Sequence, residues 1–226
     1  MSEFFLELFS EEIPPKLQTN VRKKLFLELN NYFEENNIKI KGSALAFSTP
    51  NRIIINFSNI SKELLKKSQE IRGPSINAKS EALDGFLKSH NINKTQTYLK
   101  STEKGDFHFF KTPKKKLQTY DLLRKKLPII LDKISWNKSM KWGNNQMFWG
   151  RPLKSILALF NGKKIDFNFY HLKASNLTFI DKDFEEKTKK FNNFKSYISY
   201  FKSIKVILNQ DKRKEFIRKE LNKISK

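Results

Sequence analysis

Residues 3–15 read EFFLELFSEEIPP, and the run as far as residue 9 alternates. Phe4, Leu6 and Leu8 point one way and Glu3, Phe5, Glu7 and Phe9 the other, which predicts a strand with at least one buried face. Ser10-Glu11-Glu12-Ile13-Pro14-Pro15 then reads as a helix start. Acids suit the positive end of the helix dipole, and proline fits a first turn, where its missing N–H is not needed. The helix is expected over residues 15–36, with Leu17, Val21, Leu25, Leu29 and Tyr32 or Phe33 along one stripe. Two short strands follow, 44–48 and 52–58, around a Thr49-Pro50-Asn51 turn. Ile53, Ile54 and Ile55 in succession suit a strand buried on both faces. The chain therefore opens β-α-β-β, and the expected class is α+β (mixed α/β), antiparallel hairpins with packed helices.

Further along, residues 71–75 read as a loop and 79–90 as a short helix with Ala82, Phe86 and Leu83 inward. A strand is expected at 106–111, and a helix at 119–134 that Pro128 kinks or splits. Residues 136–152, WNKSMKWGNNQMFWGRP, hold all three tryptophans and every methionine except the initiator. Beyond them 153–160 and 164–170 flank Asn161-Gly162, the pair that a type I′ hairpin turn selects because both positions need positive φ. A strand near 177–180, a helix over 184–203, a strand at 205–208 and a charged helix over 210–225 complete the reading. The helix of 184–203 is expected to bury Phe191, Phe194, Tyr197, Ile198 and Phe201, and that of 210–225 to start at Asn209 or Asp211. Two regions are expected: residues 1–135, an N-terminal α+β region, and residues 136–226, a Trp-rich joint, the hairpin and C-terminal helices.

The chain has 226 residues and a formal net charge of +22. A basic surface favours polyanions. Of its 45 basic residues only Arg22, Arg52, Arg72, Arg124, Arg151, Arg213 and Arg218 are arginine, and lysine accumulates with asparagine in AT-rich coding, so the charge is partly compositional. No apolar run reaches membrane-span length, the N-terminus lacks a secretory pattern, and cysteine is absent, so a cytoplasmic protein is expected.

Catalytic patterns are missing. His90, His108 and His171 lie in unrelated segments without metal-ligand spacing, and no phosphate-cradling glycine loop or nucleophile elbow occurs. No catalytic and no metal residue is assigned. RNA contact is better supported. Arg52 follows a turn, Arg72 precedes Gly73-Pro74, and Arg151 stands between Gly150 and Pro152. Arginines beside such backbone punctuation are placed to fork onto phosphate, unless a neighbouring carboxylate holds them instead. Trp142 and Trp149 are either base-stacking aromatics or core aromatics, the second being the commoner fate of tryptophan. Arg52, Arg72, Lys141 and Arg151 are the candidate RNA contacts.

The blocks LELFSEEIPP (6–15), FSTPNRIIINFSNI (47–60), IRGPSINAKSEALDGFLKSH (71–90), SMKWGNNQMFWGRPLKSILALFNGKKI (139–165) and KVILNQDKRKEFI (205–217) resemble, in that order, the N-terminal third of the bacterial glycyl-tRNA synthetase beta subunit. The matches fall on Glu11, Glu12 and Pro14, on Pro50 and Arg52, on Gly73 and Pro74, on Gly85 and Phe86, and on Met140, Trp142, Gly143, Arg151 and Pro152. The family's usual Gly-Thr before Glu-Glu is Phe9-Ser10 here, and the first arginine of its Arg pair is Asn51. The resemblance implies that ATP, with Mg, and glycine bind an alpha subunit, while the beta subunit serves binding of tRNA(Gly) and an α2β2 assembly. Two rivals stand beside it: an assembly scaffold whose charge is compositional, and a stand-alone RNA-binding module.

Overall fold

The computed structural model describes residues 2–144, 146–180 and 187–225. The chain forms two compact units, one of residues 1–63 with 118–226 and one of residues 64–117. The first opens with β1 (Glu3–Ser10), α1 (Pro15–Glu35), β2 (Ala44–Thr49) and β3 (Arg52–Ser58), as the alternation and the turn chemistry predict. β4 (Glu63–Lys66) leads out of it.

The smaller unit holds β5 (Glu70–Ser75), α2 (Ser80–His90), β6 (Thr97–Thr102) and β7 (Gly105–Lys111), and the chain returns along β8 (Lys115–Gln118), which pairs with β4. Residues 71–75 are thus a strand rather than the expected loop. Ile71 and Arg72 pair with Phe110 and Phe109 of β7, and the register shifts between Arg72 and Ser75. Gly73-Pro74 therefore marks a bulge, which suits two residues that weaken a regular ladder. Gly73 also lets Phe86 close over it, since a Cβ there would lie 2.9 Å from the ring. On α2, Phe86 and Leu83 are half-buried, but Ala82 is exposed instead of inward.

Back in the first unit come α3 (Thr119–Asp132), β9 (Met140–Lys141), β10 (Phe148–Trp149), β11 (Leu153–Phe160) and β12 (Lys163–Lys164). α3 runs through Pro128 as one helix, so the proline does not split it. Asn161 (φ 51°) and Gly162 (φ 77°) both take the positive φ that the hairpin turn requires. The hairpin's second arm is shorter than expected, because after β12 the chain turns into a separate ribbon of β13 (Asn168–Phe169) and β14 (Leu172–Lys173). β15 (Leu177–Phe179) pairs with β16 (Thr188–Lys190), and α4 (Phe194–Ser203) and α5 (Gln210–Ile224) follow. The helix expected over 184–203 begins only at Phe194, where the Asn193 side chain accepts from the Ser196 N–H; its residues 184–186 lie outside the described residues. Residues 205–208 form no strand: the chain leaves α4 through a turn at Lys205 (φ 60°) and drops Leu208 into the core. Asn209 caps α5, accepting from the Asp211 and Lys212 N–H groups.

The main sheet is antiparallel in the order β12-β11-β1-β3-β2, which puts β1 in the middle. Both of its faces are covered. Phe4, Leu6 and Leu8 stand opposite Phe57, Ile55 and Ile53, and Phe4 and Phe57 meet Phe33 of α1 at 6.0 and 5.0 Å between ring centroids. On the other face Phe5 packs on Phe194 and Tyr197 of α4, at 5.2 and 4.8 Å. α3 packs beside α1. Among the described residues no helix is long and apolar enough to cross a membrane.

That two-sided burial traps a charge. Glu7 is wholly buried on the α4 side. Thr178 of β15 donates its hydroxyl to Glu7 Oε1, and Arg52 Nε stands 3.8 Å from Oε2. Arg52 lies between the rings of Phe9 and Phe201, 4.6 and 4.7 Å from their centroids, and donates to the Phe179 carbonyl. Burial pushes the Glu7 carboxyl up, against the opposing pull of Arg52 and Thr178. Burial, and then the charge of Glu7, hold the Tyr197 hydroxyl well above the usual phenol range.

Removing Arg52 by Arg52→Ala leaves this carboxylate buried and unpaired, and is expected to cost about 3–5 kcal/mol in denaturant unfolding. A second expectation concerns pH. With the folded-state pKa of Glu7 raised above 4.5, the native chain holds a proton that the unfolded chain releases. The contribution of Glu7 to stability therefore falls as pH climbs from 4.5 through the folded-state value. The stability difference between wild type and Glu7→Gln is expected to decline across that window; a flat difference would mean that Glu7 is solvated, and a rising one that Arg52 and Thr178 outweigh burial and hold it ionised.

Candidate nucleic-acid interface

The Trp-rich stretch builds a short antiparallel ribbon, in which Met140 faces Trp149 and Lys141 faces Phe148. Its inner side is held by aromatic packing. Trp149 is 2% exposed, 5.0 Å from Trp136 and 5.8 Å from Phe169 by ring centroids. Trp142, half-buried, donates its indole N–H to the Trp149 carbonyl at 2.9 Å, and Met147 is buried. Trp136 lies over Gly150 so closely that a Cβ there would be 2.2 Å from the indole. The glycine of the Trp-Gly-Arg-Pro run is thus a contact surface for a ring.

The outer side is different. Neighbouring residues of a strand point to opposite faces, so Phe148 is turned out where Trp149 is turned in. Phe148 is 61% exposed, and Lys141, its direct cross-strand partner, is exposed on the same face. Met140, across from Trp149 and so on the inner face, is 60% exposed as well. Arg151 follows closely; its Nε donates to the Glu12 carbonyl at 3.1 Å, which fixes the side chain while leaving the residue exposed.

The four cationic candidates therefore separate. Lys141 belongs to the ribbon and Arg151 to the short link between β10 and β11. Arg72 is exposed on β5 of the smaller unit, with its guanidinium carbon 3.5 Å above the Phe107 ring centroid. Arg52 is 9% exposed, at the start of β3, and its guanidinium is committed to Glu7, Phe179 and two rings. This is the carboxylate-held arginine, and it faces the core rather than a ligand. Of the two tryptophans weighed as stacking residues, Trp149 is core and Trp142 is tied to it. Phe148 escaped the sequence reading, although its adjacency to a buried strand tryptophan was the signal for it.

His90 packs against Phe86 at 4.8 Å between ring centroids. Among the described residues no three metal-ligating side chains gather. What the ribbon and the link after it offer is a cation, a flat apolar ring and a second cation, a set suited to binding a polyanion with exposed aromatic bases.

Comparison with known proteins finds a match between residues 4–226 and the family model described as glycyl-tRNA synthetase beta subunit. The glycine–tRNA ligase beta subunit of Rickettsia canadensis (strain McKiel) is 36% identical over 218 residues, covering 96% of this chain and 32% of that protein. That of Rickettsia prowazekii (strain Madrid E) is likewise 36% identical over 218 residues, with the same coverage of 96% and 32%. That of Rickettsia bellii (strain OSU 85-389) is 35% identical over 221 residues, 98% of this chain and 33% of that protein. The chain thus spans about a third of the length of the curated relatives it matches.

Because all three tryptophans lie in residues 136–149, intrinsic tryptophan fluorescence reports on this ribbon alone. Gly150→Ala drives a methyl group into the Trp136 ring, and an overpacking cost of about 1–3 kcal/mol is expected. Its emission is expected to shift red as Trp136 is displaced; an unchanged spectrum and unfolding midpoint would show that the ring does not rest on Gly150.

Proposed function

The chain belongs to the glycyl-tRNA synthetase beta subunit family, and on that footing we propose that it contributes a tRNA-docking surface to glycine–tRNA ligase. Its tRNA would be tRNA(Gly), and its setting the cytoplasm. Glycine and ATP, with Mg, would be handled by an alpha subunit, and this chain would take part in an α2β2 assembly rather than carry out the chemistry.

The observation that carries the reading is a family match across residues 4–226 in a chain of net charge +22, with Lys141 and Arg151 exposed at one ribbon. Charge alone is unspecific. Cations held by a rigid scaffold meet phosphates at fixed places, and that is how phosphate contacts set the register of a nucleic acid. Arg72 would add a contact from the smaller unit.

A second reading, assembly, is favoured by α5. Its first turn is anchored: Gln210 Oε1 accepts from the Ser48 N–H at 3.2 Å, and Arg213 donates to the Ser48 carbonyl at 3.0 Å. Further along, Phe216, Ile217, Leu221 and Ile224 are exposed, so the helix carries an apolar stripe with no cover. Such a stripe is the usual mark of a protein contact. The two readings concern different surfaces and are compatible.

Salt separates docking from scaffolding. Affinity for tRNA(Gly) is expected to fall steeply with salt, and the double change Lys141→Ala with Arg151→Ala is expected to flatten the log–log slope by about one for each cation that meets a phosphate. Absence of tRNA binding at low salt, with an intact fold, would leave only assembly.

A further inference from the structure

We propose that Phe148 is a stacking platform for an unpaired RNA base, with Lys141 holding the adjoining phosphate. This rests on the tRNA-docking reading and narrows it to single-stranded nucleotides.

Phenylalanine is the dominant aromatic of the chain, and among the described residues the fold buries or half-buries all but two of these side chains. Among the described residues only Phe148 and Phe216 are exposed. Phe216 sits in the apolar stripe of α5, where a second protein surface is the natural cover. Phe148 sits in a different setting: the residue directly across from it is a lysine, and Arg151 is close by in sequence. In an antiparallel pair such partners have Cβ atoms about 5 Å apart on one face. The ring and the lysine thus rise side by side from one face, an arrangement in which one meets a base and the other its phosphate.

The ring is also held ready. Met147 and Trp149, on either side of it, are 1% and 2% exposed, and the Trp142 bond to the Trp149 carbonyl ties the two strands. With both neighbours of the ring buried, little ordering of this stretch remains to be done on binding, which favours affinity. Paired bases hide their faces in the stack, so a lone exposed ring selects unpaired ones. Stacking tolerates any base, and the site is therefore one for position and strandedness rather than for base identity.

The test uses the whole chain and three probes: a tRNA(Gly) transcript, a short unstructured RNA, and a blunt duplex of the same sequence. Phe148→Ala is expected to weaken the unstructured RNA and the tRNA by roughly 5- to 150-fold, leave the duplex unchanged, and abolish quenching of a 2-aminopurine base in the unstructured RNA. Phe148→Trp is expected to keep wild-type affinity. Equal weakening of duplex and single strand would overturn the stacking assignment, as would a Phe148→Ala variant that binds all three normally while Lys141→Ala with Arg151→Ala does not; in that last case docking stands and stacking falls. Loss of association with an alpha subunit at unchanged RNA affinity would make Phe148 a protein contact and also refute it. If neither set of changes alters RNA binding, the docking reading fails at this ribbon together with the inference.

Discussion

A carboxylate on the middle strand of a sheet that is covered on both faces has to be answered from inside the protein. Glu7 occupies that place, and its answers come from elements far apart in the chain: Arg52 at the start of β3, Thr178 in β15, and the aromatic side of α4. Each of these has to arrive for the charge to be tolerated, because an ion removed from water without partners costs more than one packing contact returns. Glu7 therefore acts as a register mark. A one-residue slip of β1 would turn it toward the Phe33 side and expose the Arg52 charge to an apolar face, so the pairing of β1 with β3 and β11 is specified by electrostatics as well as by volume.

The parts of the fold that local rules govern were legible in the sequence. Alternation located β1, the apolar stripe located α1, and Asn161-Gly162 located the turn of the hairpin to the residue. What escaped was governed by partners. Thr178 lies 171 residues from Glu7, and no spacing in a single sequence announces that meeting. Gly73-Pro74 looked like punctuation because both residues interrupt regular structure, yet β7 supplies a ladder strong enough to carry them as a bulge. For Arg52 the sequence placed the strand start and left two fates, phosphate or carboxylate; Glu7, on the adjacent strand, decides for the carboxylate.

At the ribbon, the sequence left the tryptophans open between stacking and core, with core the commoner fate, and core packing is what Trp149 adopts. Tryptophans draw attention as stacking residues, but their area makes them better used inside, and here Trp136, Trp142 and Trp149 form the inner support. Of the residues that carry the resemblance in this stretch, Trp142 supports the ribbon through its bond to the Trp149 carbonyl, whereas Met140 and Arg151 are exposed.

The smaller unit leaves the main body after Glu63 and rejoins it at Gln118, and the strands at those two points, β4 and β8, are paired. The main sheet, β12-β11-β1-β3-β2, draws no strand from between them. In genetic terms residues 64–117 are a cassette: their coding segment has its two ends side by side in the folded product, the arrangement in which insertion and deletion are best tolerated. A lineage can lengthen, replace or lose that cassette without cutting a core strand, so the two parts of this chain are free to diverge at different rates.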